Sequence, residues 1–205
     1  MMAIDPYLLL LLIACLYALV FGGLGWVRRE GLSIQFALEV AGLTALLVGG
    51  SWLAGIPLNP FLFLALLYVI TMRSRLIVDA ANLLANRGRY EMAHRLYRLG
   101  LAWWPDATSR AIVRVNQGAA YLRCGQVDAA IDTLQFVLNS DGQPQLGIKY
   151  EAACRYNLGY AYEKAGEEAR AIAQYHETIE LLPGSLYAKA AQAALKRRQK
   201  RDSQN

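Results

Sequence analysis

The sequence predicts an all-α protein in two parts: N-terminal transmembrane helices, then a stack of helix–turn–helix units closed by one capping helix. Three observations predict this. The first 72 residues hold three long apolar runs, with Glu39 the one ionisable residue inside them. A pattern of small residues, glycines and large apolar residues then recurs three times. A final amphipathic stretch repeats the helical spacing once more and runs into basic residues.

The apolar runs come first in the chain. Tyr7–Val27 is uncharged, Ser33–Ala54 is broken only by Glu39, and 56–72 is uncharged. A helix needs about 20 apolar residues to cross a bilayer core, and about 17 at the short end. Spans are therefore expected at 7–27, 33–54 and 56–72, making 1–72 a membrane anchor. Asp5 precedes the first run and no Lys or Arg does, and no small-residue cleavage site follows it, so the run reads as a retained anchor. Arg28 and Arg29 lie between the first two runs, and Arg73 and Arg75 follow the third. Cytoplasmic loops collect Lys and Arg. Three spans put both basic sites on one side, with the N-terminus outside and the remainder of the chain cytoplasmic, in an inner, cytoplasmic-type membrane. Small residues recur every four positions (Ala14, Ala18, Gly22; Ala37, Ala41, Ala45, Gly49), which predicts close packing of the first two spans. Glu39 lies near the cytoplasmic end of its span. It is expected either to pair with Arg73 or Arg75 or to make an intramembrane contact with a partner subunit.

The recurring pattern begins at about residue 74. Its positions are Ala80-Ala81, Leu84, Gly88, Ala93, Tyr97 and Pro105. They recur as Gln117-Gly118, Tyr121, Gly125, Ala130 and Leu134, and again as Leu158-Gly159, Tyr162, Gly166, Ala171, Tyr175 and Pro183. Ala81, Gly118 and Gly159 are small enough for the two helices of a hairpin to approach closely. Tyr97, Leu134 and Tyr175 fill the seam. Gly88, Gly125 and Gly166 fall where the first helix must turn, a place that favours positive φ. Pro105 and Pro183 end second helices. This pattern resembles the tetratricopeptide repeat (TPR), a helix–turn–helix unit of about 34 residues. The resemblance implies a TPR α-solenoid over 73–200, with repeats at about 74–107, 111–144 and 152–185, a cap at 186–200 and a short basic end at 201–205. The small residues lie 37 and then 41 residues apart, so the connections between units have lengthened, in 106–110 and 141–149. Pro144 lies late relative to the other two closing prolines.

In TPR proteins the first helix of each unit lines a concave face. Carried over by register, that resemblance implies a partner-binding groove of Val78, Asn82 and Asn86, then Val115, Asn116 and Arg123, then Tyr156, Asn157, Tyr160 and Lys164. Asparagine offers a donor and an acceptor, which suits an extended peptide backbone. Relatives that hold acidic chaperone tails use a clamp of Lys, Arg and Asn. Here Asn82 and Asn116 stand at its asparagine positions, but Val78, Ala153 and Asn157 stand at the cationic ones. A chaperone-tail clamp is therefore not expected.

Charge is uneven along the chain. Residues 1–72 carry −1, 73–114 carry +5, 115–195 carry −3 and 196–205 carry +4, for a net +5. Anionic lipid attracts the block that follows the membrane part, without invoking nucleic acid. Cys15, Cys124 and Cys154 lack paired spacing, and neither His94 nor His176 has a Cys or acid partner at ligand spacing, so no metal is expected. No phosphate loop, nucleophile elbow or metalloprotease motif appears. The expectation is a protein that is not an enzyme, has no cofactor and takes no small-molecule substrate. Its partners would be membrane lipid and a protein, bound through an extended segment or as a membrane-complex subunit. The arrangement looks similar to bacterial and plastid TPR proteins that act in photosystem assembly. The expected function is thus a membrane-anchored adaptor that assists assembly of a membrane complex. The alternative is a permanent structural subunit of a respiratory or photosynthetic complex.

Overall fold

A computed structural model describes residues 5–27, 33–139 and 146–203. Among them are ten helices and no strand: α1 (Pro6–Val27), α2 (Ile34–Leu53), α3 (Pro60–Thr71), α4 (Arg73–Asn86), α5 (Tyr90–Ala102), α6 (Ala107–Arg123), α7 (Val127–Leu138), α8 (Ile148–Ala165), α9 (Glu168–Leu181) and α10 (Leu186–Asp202). The chain divides into two compact units, Met1–Leu76 and Ile77–Asn205. Arg28, Arg29 and Pro144 lie outside the described residues.

In the first unit, α1 and α2 are long and apolar enough to cross a membrane. The third apolar run becomes a shorter helix than its length as a sequence suggested. Pro60 opens α3 at its first turn, where a missing N–H costs nothing, and Asn59 caps it by accepting from the N–H groups of Phe61 and Leu62. The 12-residue helix is about 18 Å long against a hydrocarbon core of about 30 Å. It reaches spanning length only if α3 and α4, broken at Met72, count as one bent span.

The three helices share a core of Leu10, Ala14, Tyr17, Val40, Phe63 and Leu67. Tyr17 Oη and Thr71 Oγ1 lie 2.6 Å apart in a hydrogen bond, and Thr71 donates on to Leu67 O. The stripe expectation holds for α1, where Ala14 is buried, and is corrected for α2. Ala37, Ala41 and Ala45 are exposed, while Val40 and Thr44, with Phe36, Leu43 and Leu47 beside them, face the core. The reason is volume: Tyr17 and Phe63 fill the seam and need large partners, not a flat small-residue face.

In the second unit, α4/α5, α6/α7 and α8/α9 are helical hairpins with connections of two or three residues. They pack in chain order: α6 lies against α8, α8 against α10, and α7 and α9 against the helix that follows each. Each hairpin turns on the glycine expected to do so. Gly88, Gly125 and Gly166 have φ of 75°, 83° and 80°. The three turns share one hydrogen-bond pattern. Gly88 N–H donates to Ala85 O and Arg89 N–H to Leu84 O; Gly125 to Leu122 and Gln126 to Tyr121; Gly166 to Glu163 and Glu167 to Tyr162. This satisfies the last carbonyls of each first helix, and a Cβ would be strained at the left-handed residue.

The close approach within hairpins is also present. A Cβ on Gly118 would sit 2.7 Å from Leu134, and one on Gly159 would sit 3.0 Å from the Tyr175 ring. Two cores result. Val78, Ala81, Ala85, Ala93, Tyr97, Val113 and Ala120 form one; Leu134, Cys154, Leu158, Tyr162, Ala171, Tyr175, Ala191 and Ala194 belong to the other. The last two of these residues come from α10, which covers the end of the stack. Ser185 caps α10 by accepting from Ala188 N–H.

Candidate functional site

The groove residues expected from the sequence lie on α4, α6 and α8, and the structure sorts them into three groups. Val78 and Val115 are 4% and 3% exposed. They are corrected from groove to core, because the inner edge of each first helix is pressed against its neighbours.

Asn82 and Asn116 form a second group, in which their hydrogen bonds are spent inside the protein. Tyr97 Oη donates to Asn82 Oδ1 at 2.6 Å, Asn82 Nδ2 donates to Asn116 Oδ1 at 3.0 Å, and Asn116 Nδ2 donates to Ile112 O at 2.8 Å. This chain of bonds ties α5 to α4 and α4 to α6. A buried phenol without a partner would be costly, so Asn82 serves Tyr97 first. Burial pushes the Tyr97 hydroxyl up to about 12, so it acts as a donor throughout the physiological range. Arg123 likewise donates to Asn86 Oδ1, joining the ends of α4 and α6.

The third group is on α8. Asn157, Tyr160 and Lys164 follow at spacings of three and four, which places them along one helix face. Asn157 makes no side-chain hydrogen bond among the described residues, so both its donor and its acceptor are available. Tyr160 is part-exposed, with Lys164 Nζ 5.4 Å from its ring centroid, within cation–π range. Tyr156 backs this strip. Its ring lies 6.0 Å from those of Tyr175 and Tyr187, and burial raises its hydroxyl above the usual phenol value.

Sequence reasoning missed the internal bonding of the second helices' tyrosines. Tyr175 Oη donates to Glu163 Oε2 at 2.6 Å, the counterpart of Tyr97 on Asn82. Burial and this carboxylate together raise the Tyr175 hydroxyl. Register alone carried no signal for these bonds, because the two polar partners stand at different offsets, 15 and 12 residues before their tyrosines, on the facing helix.

Glu39 is paired within its own unit. Arg73 grips it with two bonds, Nη1 to Oε2 at 2.6 Å and Nη2 to Oε1 at 2.8 Å, while Gln35 Nε2 donates to Oε1 at 2.9 Å. Of the two expectations for this carboxylate, pairing with Arg73 is the one found. A bidentate guanidinium neutralises an acid that stands within an otherwise apolar run. The pair also sets the first turns of α2 level with the C-terminal end of α3.

Among the described residues no group of three or more His, Cys, Asp or Glu is placed to hold a metal ion. No protein-family model matches the chain, and no curated protein matches it.

Proposed function

We propose that this protein is a membrane-anchored adaptor of TPR type, whose helical hairpins hold a segment of another protein beside the membrane while a membrane complex is assembled. The observation that carries the reading is the α8 strip of Asn157, Tyr160 and Lys164. It offers open hydrogen-bonding capacity, an aromatic face and a cation on one helix, whereas Asn82 and Asn116 on the preceding first helices are already bonded inside the protein. An extended peptide needs those things: a donor–acceptor pair for its backbone and an apolar surface for a side chain. The apolar helices α1 and α2 supply the anchor. The hairpins are placed on the cytoplasmic side because Arg28, Arg29, Arg73 and Arg75 fall on one side of the membrane when a third crossing is made through α3. No catalytic role is assigned.

The test uses the tagged full chain in native membranes. A photocrosslinking amino acid at Tyr160 is expected to join a substoichiometric partner. That product is expected to vanish in an Asn157→Ala/Lys164→Ala background that leaves the hairpin bonds intact. Partners that co-purify at a fixed ratio and survive this double substitution would refute the adaptor and make the chain a permanent subunit.

A further inference from the structure

The second helices of the three hairpins occupy equivalent places but present different outer faces. On α5 the buried side is Ala93, Tyr97 and Gly100. About a quarter-turn round the helix from them, Met92, Leu99 and Trp103 line up at helical spacing and are 50%, 39% and 54% exposed. Arg95 and Arg98 are exposed beside this strip. The next residue, Trp104, is 83% exposed and has φ of 47°. Among the described residues it is the only non-glycine with positive φ, an uncommon conformation for a bulky side chain. Strain of this kind persists where the surrounding fold holds it, and such positions cluster at functional sites.

The corresponding faces elsewhere are different. On α7 the exposed residues include Asp128, Asp132 and Phe136, with the Arg114 guanidinium 4.0 Å over the Phe136 ring. On α9 they include Arg170, Ala173, His176 and Glu180. An apolar strip flanked by arginines and closed by two indoles belongs to α5 alone.

That combination has a physical match. Indoles favour the boundary between headgroups and acyl chains, apolar side chains of an amphipathic helix dip into it, and arginines meet anionic headgroups. The charge fits: Arg95 and Arg98 outweigh Glu91 on the exposed side of α5, and Arg87 and Arg89 are exposed in the turn before it. Chain order fits too, since α4 begins at Arg73 directly after the apolar segments, and α5 is the next helix.

We propose that the exposed face of α5, with the Trp103–Trp104 corner, is a lipid-docking surface that sits in the headgroup layer of a membrane leaflet containing anionic lipid. It rests on membrane anchorage of the N-terminal unit and stands apart from the partner-binding reading. One consequence is that the first hairpin is held down against the membrane surface.

Two full-length variants separate the possibilities. One carries Trp26→Phe and Trp52→Phe, so that Trp103 and Trp104 are its remaining indoles. The other carries Trp26→Phe, Trp103→Phe and Trp104→Phe, and reports through Trp52 in α2. Both are reconstituted in phosphatidylcholine vesicles with brominated acyl chains, with and without phosphatidylglycerol. The proposal expects blue-shifted, bromine-quenched emission from Trp103/Trp104 in the phosphatidylglycerol vesicles. It expects that quenching to be lost on added salt and in Arg95→Glu/Arg98→Glu. Unquenched, water-like emission in both vesicle types, with Trp52 quenched, would overturn the docking surface and leave the anchor standing. Equal quenching without phosphatidylglycerol would overturn the anionic-lipid assignment. A blue shift that appears only when membrane extract proteins are added would make the face a protein contact instead. Unquenched Trp52 would overturn the anchor and this proposal with it.

Discussion

Gly118→Ala tests the close approach on which the middle hairpin is built, and the sign of its effect is expected to depend on residue 134. The new methyl would lie 2.7 Å from Cγ and Cδ2 of Leu134 and 3.3 Å from Cδ1, where ordinary contact begins at 3.4 Å. Leu134 is fully buried and packed against a second core, so it has little room to retreat. Overpacking of this kind costs about 1–3 kcal/mol. Replacing a glycine inside a helix by alanine returns about 1 kcal/mol of propensity. The single variant is therefore destabilised by about 0–2 kcal/mol. Leu134→Ala alone leaves a cavity and costs about 2–5 kcal/mol. In that background all three clashing carbons are gone, and Gly118→Ala is expected to stabilise by about 1 kcal/mol. The assay is hydrogen exchange of peptides from α6 and α7 in the detergent-solubilised full chain, which reads the free energy of opening of this hairpin. Gly118→Ala that raises protection in the wild-type background, or shifts it in the same direction in both backgrounds, would refute the reasoning.

Three further outcomes are expected. Arg73→Ala leaves the Glu39 carboxylate without its guanidinium and is expected to destabilise the membrane unit by about 2–3 kcal/mol. Glu39→Gln/Arg73→Leu, which removes both charges, should recover most of that loss in detergent unfolding. His94 stacks on Tyr121 at 4.2 Å, and burial, then Arg98, holds its pKa below 6.5. Below 6.5 the unfolded chain takes a proton that the folded chain refuses, so stability falls as pH drops from 6.5 toward the folded value. His94→Phe should flatten that slope in pH-dependent thermal melts. Burial pushes the Cys154 thiol up to about 12, so at mildly alkaline pH iodoacetamide should label Cys124 and leave Cys154 unmodified until the α8/α9 hairpin opens, as read by mass spectrometry.

The site was less legible in the sequence than the fold. Register placed Asn82 and Asn116 on first helices, and both are there. Register could not show that Tyr97 would claim Asn82 and that Asn82 would claim Asn116, because each bond joins separate helices. Val78 and Val115 look alike in a groove or a core until their neighbours are placed. Asn157 kept its open valences, whereas in the same hairpin the Tyr175 hydroxyl found Glu163.

What the sequence determined by itself was local. The runs through α1 and α2, the turning glycines Gly88, Gly125 and Gly166, and the pairing of small with large residues within each hairpin are set by backbone sterics and side-chain volume over a few neighbouring residues. Only the tertiary structure decided which face of α2 is buried, that Arg73 closes on Glu39 across 34 residues of sequence, and that α5 turns Met92, Leu99 and Trp103 outward. Those outcomes depend on which helix meets which. Burial and hydrogen-bond partners belong to the packed neighbours, and a one-dimensional pattern does not contain them.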